Sequence, residues 1–122
     1  MTYKFTINGK LPSLNEYINQ CRRNRFAGAK FMTEIERLIG WQIPQAHRGL
    51  ALTGTTIYFD WYEKSRRRDQ DNVMSAKKYI LDALVKLNVL AGDSPKHVVI
   101  GGDEVHYDGS QKVEVRITVG DC

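Results

Sequence analysis

The chain has 122 residues, 42% of them hydrophobic, with 18 Lys and Arg against 14 Asp and Glu and a formal net charge of +4. That length suits one compact domain with a single core and hardly two, and no run of about 18 apolar residues is present to cross a membrane. Met1-Thr2-Tyr3-Lys4-Phe5 lacks the long apolar region of a secretory signal, so the expected location is cytoplasmic, and Cys21 and Cys122, which show no metal-binding spacing, are expected to be free thiols in a reducing compartment.

Tyr3, Phe5 and Ile7 alternate with Lys4, Thr6 and Asn8, which predicts a strand over 3–8 with one buried face, ended by Asn8-Gly9. Pro12-Ser13 then opens an irregular segment in which Ser13 and Asn15 can cap backbone groups. Arg22, Arg23 and Arg25 crowd into Cys21-Arg22-Arg23-Asn24-Arg25-Phe26; this is either solvated surface or a flexible arm for phosphates. From Lys30 to Ile43, Phe31, Ile35, Leu38, Ile39 and Ile43 share one side, the pattern of an amphipathic helix that Pro44 should kink or end. Residues 55–62 are rich in β-formers, with Ile57, Phe59 and Trp61 on one face and Tyr58, Asp60 and Tyr62 on the other. Asp60 is either an extra acid near a site or a surface residue.

That strand leads into Arg66-Arg67-Arg68-Asp69-Gln70-Asp71-Asn72. Three guanidinium groups followed by two carboxylates are costly in a core and natural beside a phosphodiester. In an extended segment Asp69 and Asp71 point to one side and can share a hard cation such as Mg²⁺, which keeps waters and phosphate oxygens as further ligands. Asn72 stands where a helix should begin, its side chain accepting from first-turn amides. Val73, Ala76, Ile80, Ala83, Leu84 and Leu87 then fall on one face of a helix over 73–87, with Lys78 and Asp82 opposite. Asp93 follows in the turn-like Ala91-Gly92-Asp93-Ser94-Pro95. His97 to Ile100 reads as the start of a strand, Gly101-Gly102 as a bulge or bend in it, and Asp108-Gly109 as a hairpin turn. Val113, Val115, Ile117 and Val119 alternate with Glu114, Arg116 and Thr118. The predicted order is β-α-β-α-β-β: one α+β domain over 1–122 with a mixed sheet and two helices.

Charge is unevenly spread. Residues 1–68 carry 12 Lys and Arg against 5 acids, net +7, whereas residues 69–122 carry 6 against 9, net −3. The basic half suits a polyanion and the acidic half holds the candidate ligands; bare carboxylates repel phosphate, and bound divalent cations reverse that sign. Each residue has a plainer reading. Asp69 and Asp71 can pair with Arg66 to Arg68, Lys78 and Asp82 are an i,i+4 pair that supports any exposed helix, and Asp93 can be a simple turn residue. His47, His97 and His106 lack zinc spacing, and no phosphate-binding G-x-x-x-x-G-K-[ST] stretch is present, so neither a zinc site nor a nucleotide cofactor is expected.

Asp-x-Asp-Asn at Asp69, Asp71 and Asn72, then Lys-x-x-x-Asp-Ala-Leu from Lys78 through Asp82, then Asp93, together form an order that resembles the RusA-type Holliday junction resolvases of phages and prophages. Leu11-Pro12-Ser13-Leu14-Asn15-Glu16-Tyr17 is similar to that family's Pro-Ser-x-Asn segment. The family has a shorter spacing between the Asn and the Lys, so Lys77 competes with Lys78. It also often has two adjacent acids where Gly92-Asp93 stands. The resemblance implies a RusA-like fold and a Mg²⁺-dependent endonuclease, with Mn²⁺ able to substitute, that cuts four-way junctions by paired symmetric nicks. Asp69, Asp71 and Asp93 would hold the metal, Lys78 would stand at the scissile phosphate, and Asp82 or Lys77 would support them. Ser13, Asn15, Asn72, Arg22, Arg23, Arg25, Arg66, Arg67 and Arg68 would meet DNA. Two nicks require two sites and hence a homodimer. Two alternatives stand beside this reading, a non-catalytic DNA-binding module and a nuclease for branched or flap DNA in general.

Overall fold

In the computed structural model of the protein, the described residues are 1–64, 66 and 70–120. The chain runs β1 (Thr2–Asn8), α1 (Leu14–Arg23), α2 (Arg25–Gly40), a 3₁₀ turn (Gln45–His47), β2 (Thr55–Glu63), α3 (Gln70–Met74), α4 (Lys77–Lys86), β3 (Val98–Tyr107) and β4 (Lys112–Val119). It is an α+β domain with one mixed four-stranded sheet, ordered β1-β4-β2-β3. β4 is antiparallel to both β1 and β2, and β3 is parallel to β2.

The strict alternation in the strands assigns the two faces of the sheet. Ile57, Phe59 and Trp61 of β2, Val113, Val115 and Ile117 of β4, and Phe5 and Ile7 of β1 point to one side and are buried. Ile35 and Ile39 of α2, Val73 of α3, and Tyr79, Ile80, Ala83 and Leu84 of α4 meet them in a single core. The other side carries Tyr58, Asp60 and Tyr62 of β2 with Glu114 and Arg116 of β4, and among the described residues the helices pack on the first side. No helix among the described residues is long and apolar enough to cross a membrane.

Several expected elements are revised. Ser13-Leu14 starts a helix: Ser13 is the N-cap of α1, its hydroxyl accepting from Glu16 N at 3.3 Å. The arginine run is therefore helical and not a flexible arm. Arg22 and Arg23 end α1, Arg25 begins α2, and Asn24 between them accepts from Ala27 N at 2.7 Å. The two helices approach closely at Gly28, where a Cβ would sit 2.7 Å from Cys21 Sγ. That earlier cap moves the start of the second helix from Lys30 to Arg25. Its end moves to Gly40, where the Arg48 guanidinium donates to Gly40 O and Ile43 O at 2.8 and 3.1 Å and so satisfies carbonyls at the helix end.

The helix expected over 73–87 is two helices. Ala76 N bonds to Val73 O and Tyr79 N to Ala76 O, at 3.3 and 3.1 Å; these i→i−3 bonds tighten the chain at the junction. Asp108-Gly109 does turn the chain, but β3 and β4 are not a hairpin because β2 lies between them. Asp108 Oδ1 accepts from Ser110 Oγ and Ser110 N at 2.5 and 3.0 Å, and these two bonds hold its carboxyl below the usual range. The expected bulge at Gly101-Gly102 is present: Ile57 pairs with Ile100, and Tyr58 with Gly102.

Candidate functional site

The acidic stretch that the sequence singles out enters α3. Asp71 lies in the first turn of that helix and is exposed. Asn72 is inside α3 rather than capping it, because the helix begins at Gln70; for the same reason Asp71 is helical, and the extended Asp-x-Asp geometry does not apply to it. Arg67, Arg68 and Asp69 lie outside the described residues.

The α3–α4 junction is tied to the start of α1, more than 60 residues earlier. Ser75 Oγ accepts from Leu14 N at 3.0 Å and donates to Asn72 O at 2.7 Å. Tyr79 Oη donates to Ser13 O at 3.1 Å. The Tyr79 ring is fully buried, and that burial, aided by the negative charge of Glu16, pushes its hydroxyl up to about 12. Ser13 is itself buried and occupied in capping α1, whereas Asn15, two residues on, is exposed.

The two competing lysines go to different places. Lys77 is the first residue of α4 and turns toward the sheet, its Nζ 2.5 Å from Asp103 Oδ2 on β3. The other oxygen of Asp103 accepts from Trp61 Nε1 at 2.9 Å. Lys78 faces solvent, its side chain 58% exposed and its Nζ 3.8 Å from Asp82 Oδ2. Asp82 thus sits where a helix-supporting i,i+4 pair would put it. Asp93 is exposed in the loop before β3, and the next residue, Ser94, accepts through its carbonyl from His97 N and Val98 N at 2.8 and 3.0 Å.

The basic residues are displayed outward. Arg22, Arg23 and Arg25 are exposed at the α1–α2 junction beside Phe26, which is 83% exposed. Arg66 lies with its guanidinium carbon 4.4 Å from the centre of the Tyr107 ring, a stack that leaves its N–H groups to meet an anion. Cys21 is an exposed free thiol.

Sequence reasoning missed two features. Asp103 was passed over because its partner Trp61 is 42 positions away and its face depends on the bulge. The other is a group of His and carboxylates on the open face of the sheet: ligand atoms of Asp60, Glu104 and His106 lie within 4.8 Å of one another. His106 Nε2 is 3.0 Å from Asp60 Oδ1 and 3.6 Å from Glu104 Oε2, and its ring stacks on Tyr62. Their adjacency follows from the β2–β3 register, which pairs Asp60 with Glu104 and Tyr62 with His106. They lie on the sheet face opposite the Lys77–Asp103 pair, so Asp60 does not extend that site. Among the described residues, neither Asp71 nor Asp93 belongs to such a group. Compared with known proteins, the chain matches no protein-family model and no curated protein.

Proposed function

We propose that this chain is a Mg²⁺-dependent endodeoxyribonuclease of the RusA type that resolves four-way DNA junctions by paired symmetric nicks. The observation that carries the reading is the tie between its two motif segments: Ser75 Oγ joins Leu14 N to Asn72 O, and Tyr79 Oη reaches Ser13 O. The Pro-Ser-x-Asn segment and the Asp-Asn-bearing helix, distant in the chain, are thereby held against each other.

The donor chemistry suits the cation. Asp71 and Asp93 are exposed carboxylates, hard oxygen ligands with room for the waters that Mg²⁺ retains, and Asp69 would join them. Bound there, Mg²⁺ would supply an activated water and offset charge on the phosphate. A lysine at the start of α4 would donate to the non-bridging oxygens as their charge grows. Arg66, Arg67, Arg68 and the Arg22, Arg23 and Arg25 group would hold the backbones by charge and bidentate hydrogen bonds. Two symmetric nicks call for two copies of the chain about a two-fold axis.

The test is cleavage of a mobile four-way junction and a matched linear duplex, with Mg²⁺, Mn²⁺ or EDTA, by wild type and Asp71→Asn. Paired nicks in the junction alone are expected with either metal. They should be lost in EDTA and fall at least about 100-fold in the variant, while gel-shift binding survives. Binding without nicking under every metal condition would leave a DNA-binding module. Equal cleavage of flaps and forks would leave a general branched-DNA nuclease.

A further inference from the structure

We infer that Asp103 is the positioning residue for Lys77, and that the bulge at Gly101 is what aims it. What Lys77 does to a phosphate rests on the nuclease reading above; the tether itself does not.

The aim comes from the register of two parallel strands. Thr55 pairs with Val98, Thr56 with Val99 and Ile57 with Ile100; the next pair is Tyr58 with Gly102, so Gly101 is an extra residue in β3. Had the register of those first three pairs run on without the bulge, Asp103 would lie opposite Asp60 and face the open side of the sheet. With it, Asp103 lies opposite Phe59, on the face that the helices cover. A one-residue slip moves a side chain to the other face, and bulges re-aim side chains in this way. Only glycine fits the position unstrained, because a Cβ at residue 101 would lie 2.4 Å from Tyr58 Cε1 and 2.6 Å from Thr56 Cγ2.

A carboxylate turned toward an apolar layer is costly unless both oxygens are engaged, and here both are. Trp61 Nε1 holds Oδ1 at 2.9 Å. The indole is itself buried and stacked on Phe59 with ring centres 5.4 Å apart, so it fixes the plane of the carboxylate. Oδ2 is then presented to Lys77 Nζ at 2.5 Å. The Lys77 side chain remains 27% exposed against 14% for Asp103, so it is held by the carboxylate without being closed off from an incoming group. An ammonium has three N–H donors; Asp103 engages one and leaves the rest for incoming phosphate oxygens. Lys78, exposed and loosely paired with Asp82, has no comparable anchor. This assigns the site lysine to Lys77 and gives it a fixed approach beside the helix that carries Asp71.

The experiment is a double-mutant cycle on single-turnover junction cleavage, with wild type, Asp103→Asn, Lys77→Met and both changes together. Asn keeps the size and the oxygen that Trp61 donates to, and removes the charge. Asp103→Asn should lower the cleavage rate by about 10- to 100-fold, with junction affinity unchanged, and should cost nothing further once Lys77 is Met. Full activity in Asp103→Asn, or an equal loss in the Lys77→Met background, overturns the positioning role. Amine labelling read by peptide mapping tests the tether without cleavage. Lys77 should react more slowly than Lys78 in wild type, and at a similar rate in Asp103→Asn. Equal labelling of the two lysines in wild type overturns the tether even if the variant fails to fold. Protected Lys77 in a chain that nicks no DNA would sink the nuclease reading and leave the tether standing.

Discussion

The two faces of the sheet are built from the same strands and hold to opposite rules. On the helix-covered face, apolar side chains interlock, and the polar atoms of Asp103, Trp61 and Lys77 each find a partner at short range. On the open face, charges and rings are laid side by side in contact with water: Arg116 over Tyr58 at 4.1 Å, Lys112 over Tyr62 at 4.9 Å, and His106 beside Asp60 and Glu104. Alternation separates these sets, because successive strand residues point to opposite sides, and the bulge at Gly101 adds Asp103 to the covered one. The difference in environment decides what each contact contributes. A lost partner on the covered face leaves an unsatisfied group away from water, whereas on the open face water replaces it.

The contrast can be broken by measurement, and the largest effect should come from the core. Ile80, fully buried between α4 and the sheet, should cost about 2–5 kcal/mol when truncated to Ala, through lost burial and the cavity left behind; chemical denaturation reads this directly. A loss below that range would mean that the layer closes over the gap.

A smaller effect with a pH signature is expected at Tyr79. Its hydroxyl is pushed up to about 12 from an ordinary value of 10.0, chiefly by burial, so the fold favours the neutral form. The stabilisation is therefore complete below pH 10 and is lost as the pH rises toward 12, when the unfolded chain ionises first. On the order of 2 kcal/mol should disappear across that window. The profile of Tyr79→Phe should lack that component, and an unchanged profile would remove Tyr79 as its source.

The smallest change belongs to the open face. Asp60 is 39% exposed beside His106, and Asp60→Asn should shift stability by less than about 1 kcal/mol. If its denaturation midpoint fell as far as that of Ile80→Ala, the face would have to be covered in solution, and sedimentation of wild type would show whether a second copy covers it.

Much of this organisation was legible in the residues. The alternation in β1, β2 and β4 predicted the strands and which residues share a face, and Gly101-Gly102 marked the bulge. Helix boundaries were less legible, since they depend on side chains such as Ser13, Asn24, Arg48 and Ser75 that bond across short loops or to distant backbone. The candidate site was visible as residue types, Asp71, Asp93 and a pair of adjacent lysines, but not as geometry. Spacing to Asp82 favours Lys78, with Lys77 competing, and only the tertiary structure shows what each meets: Asp103 on β3 for Lys77, solvent and Asp82 for Lys78.

By itself, then, the amino-acid sequence determined what is local: which stretches alternate with period two, which carry an apolar helical stripe, and where the chain must turn. The tertiary structure alone decided the partners. It placed β2 between β3 and β4 and so made a crossover of what reads as a hairpin, and it brought Leu14 to Ser75. Through one extra residue in β3 it put Asp103 on the face where Lys77 and Trp61 meet it. The reason is physical: side-chain direction along a strand depends on its nearest neighbours, whereas register depends on which distant strand supplies the other half of the hydrogen bonds.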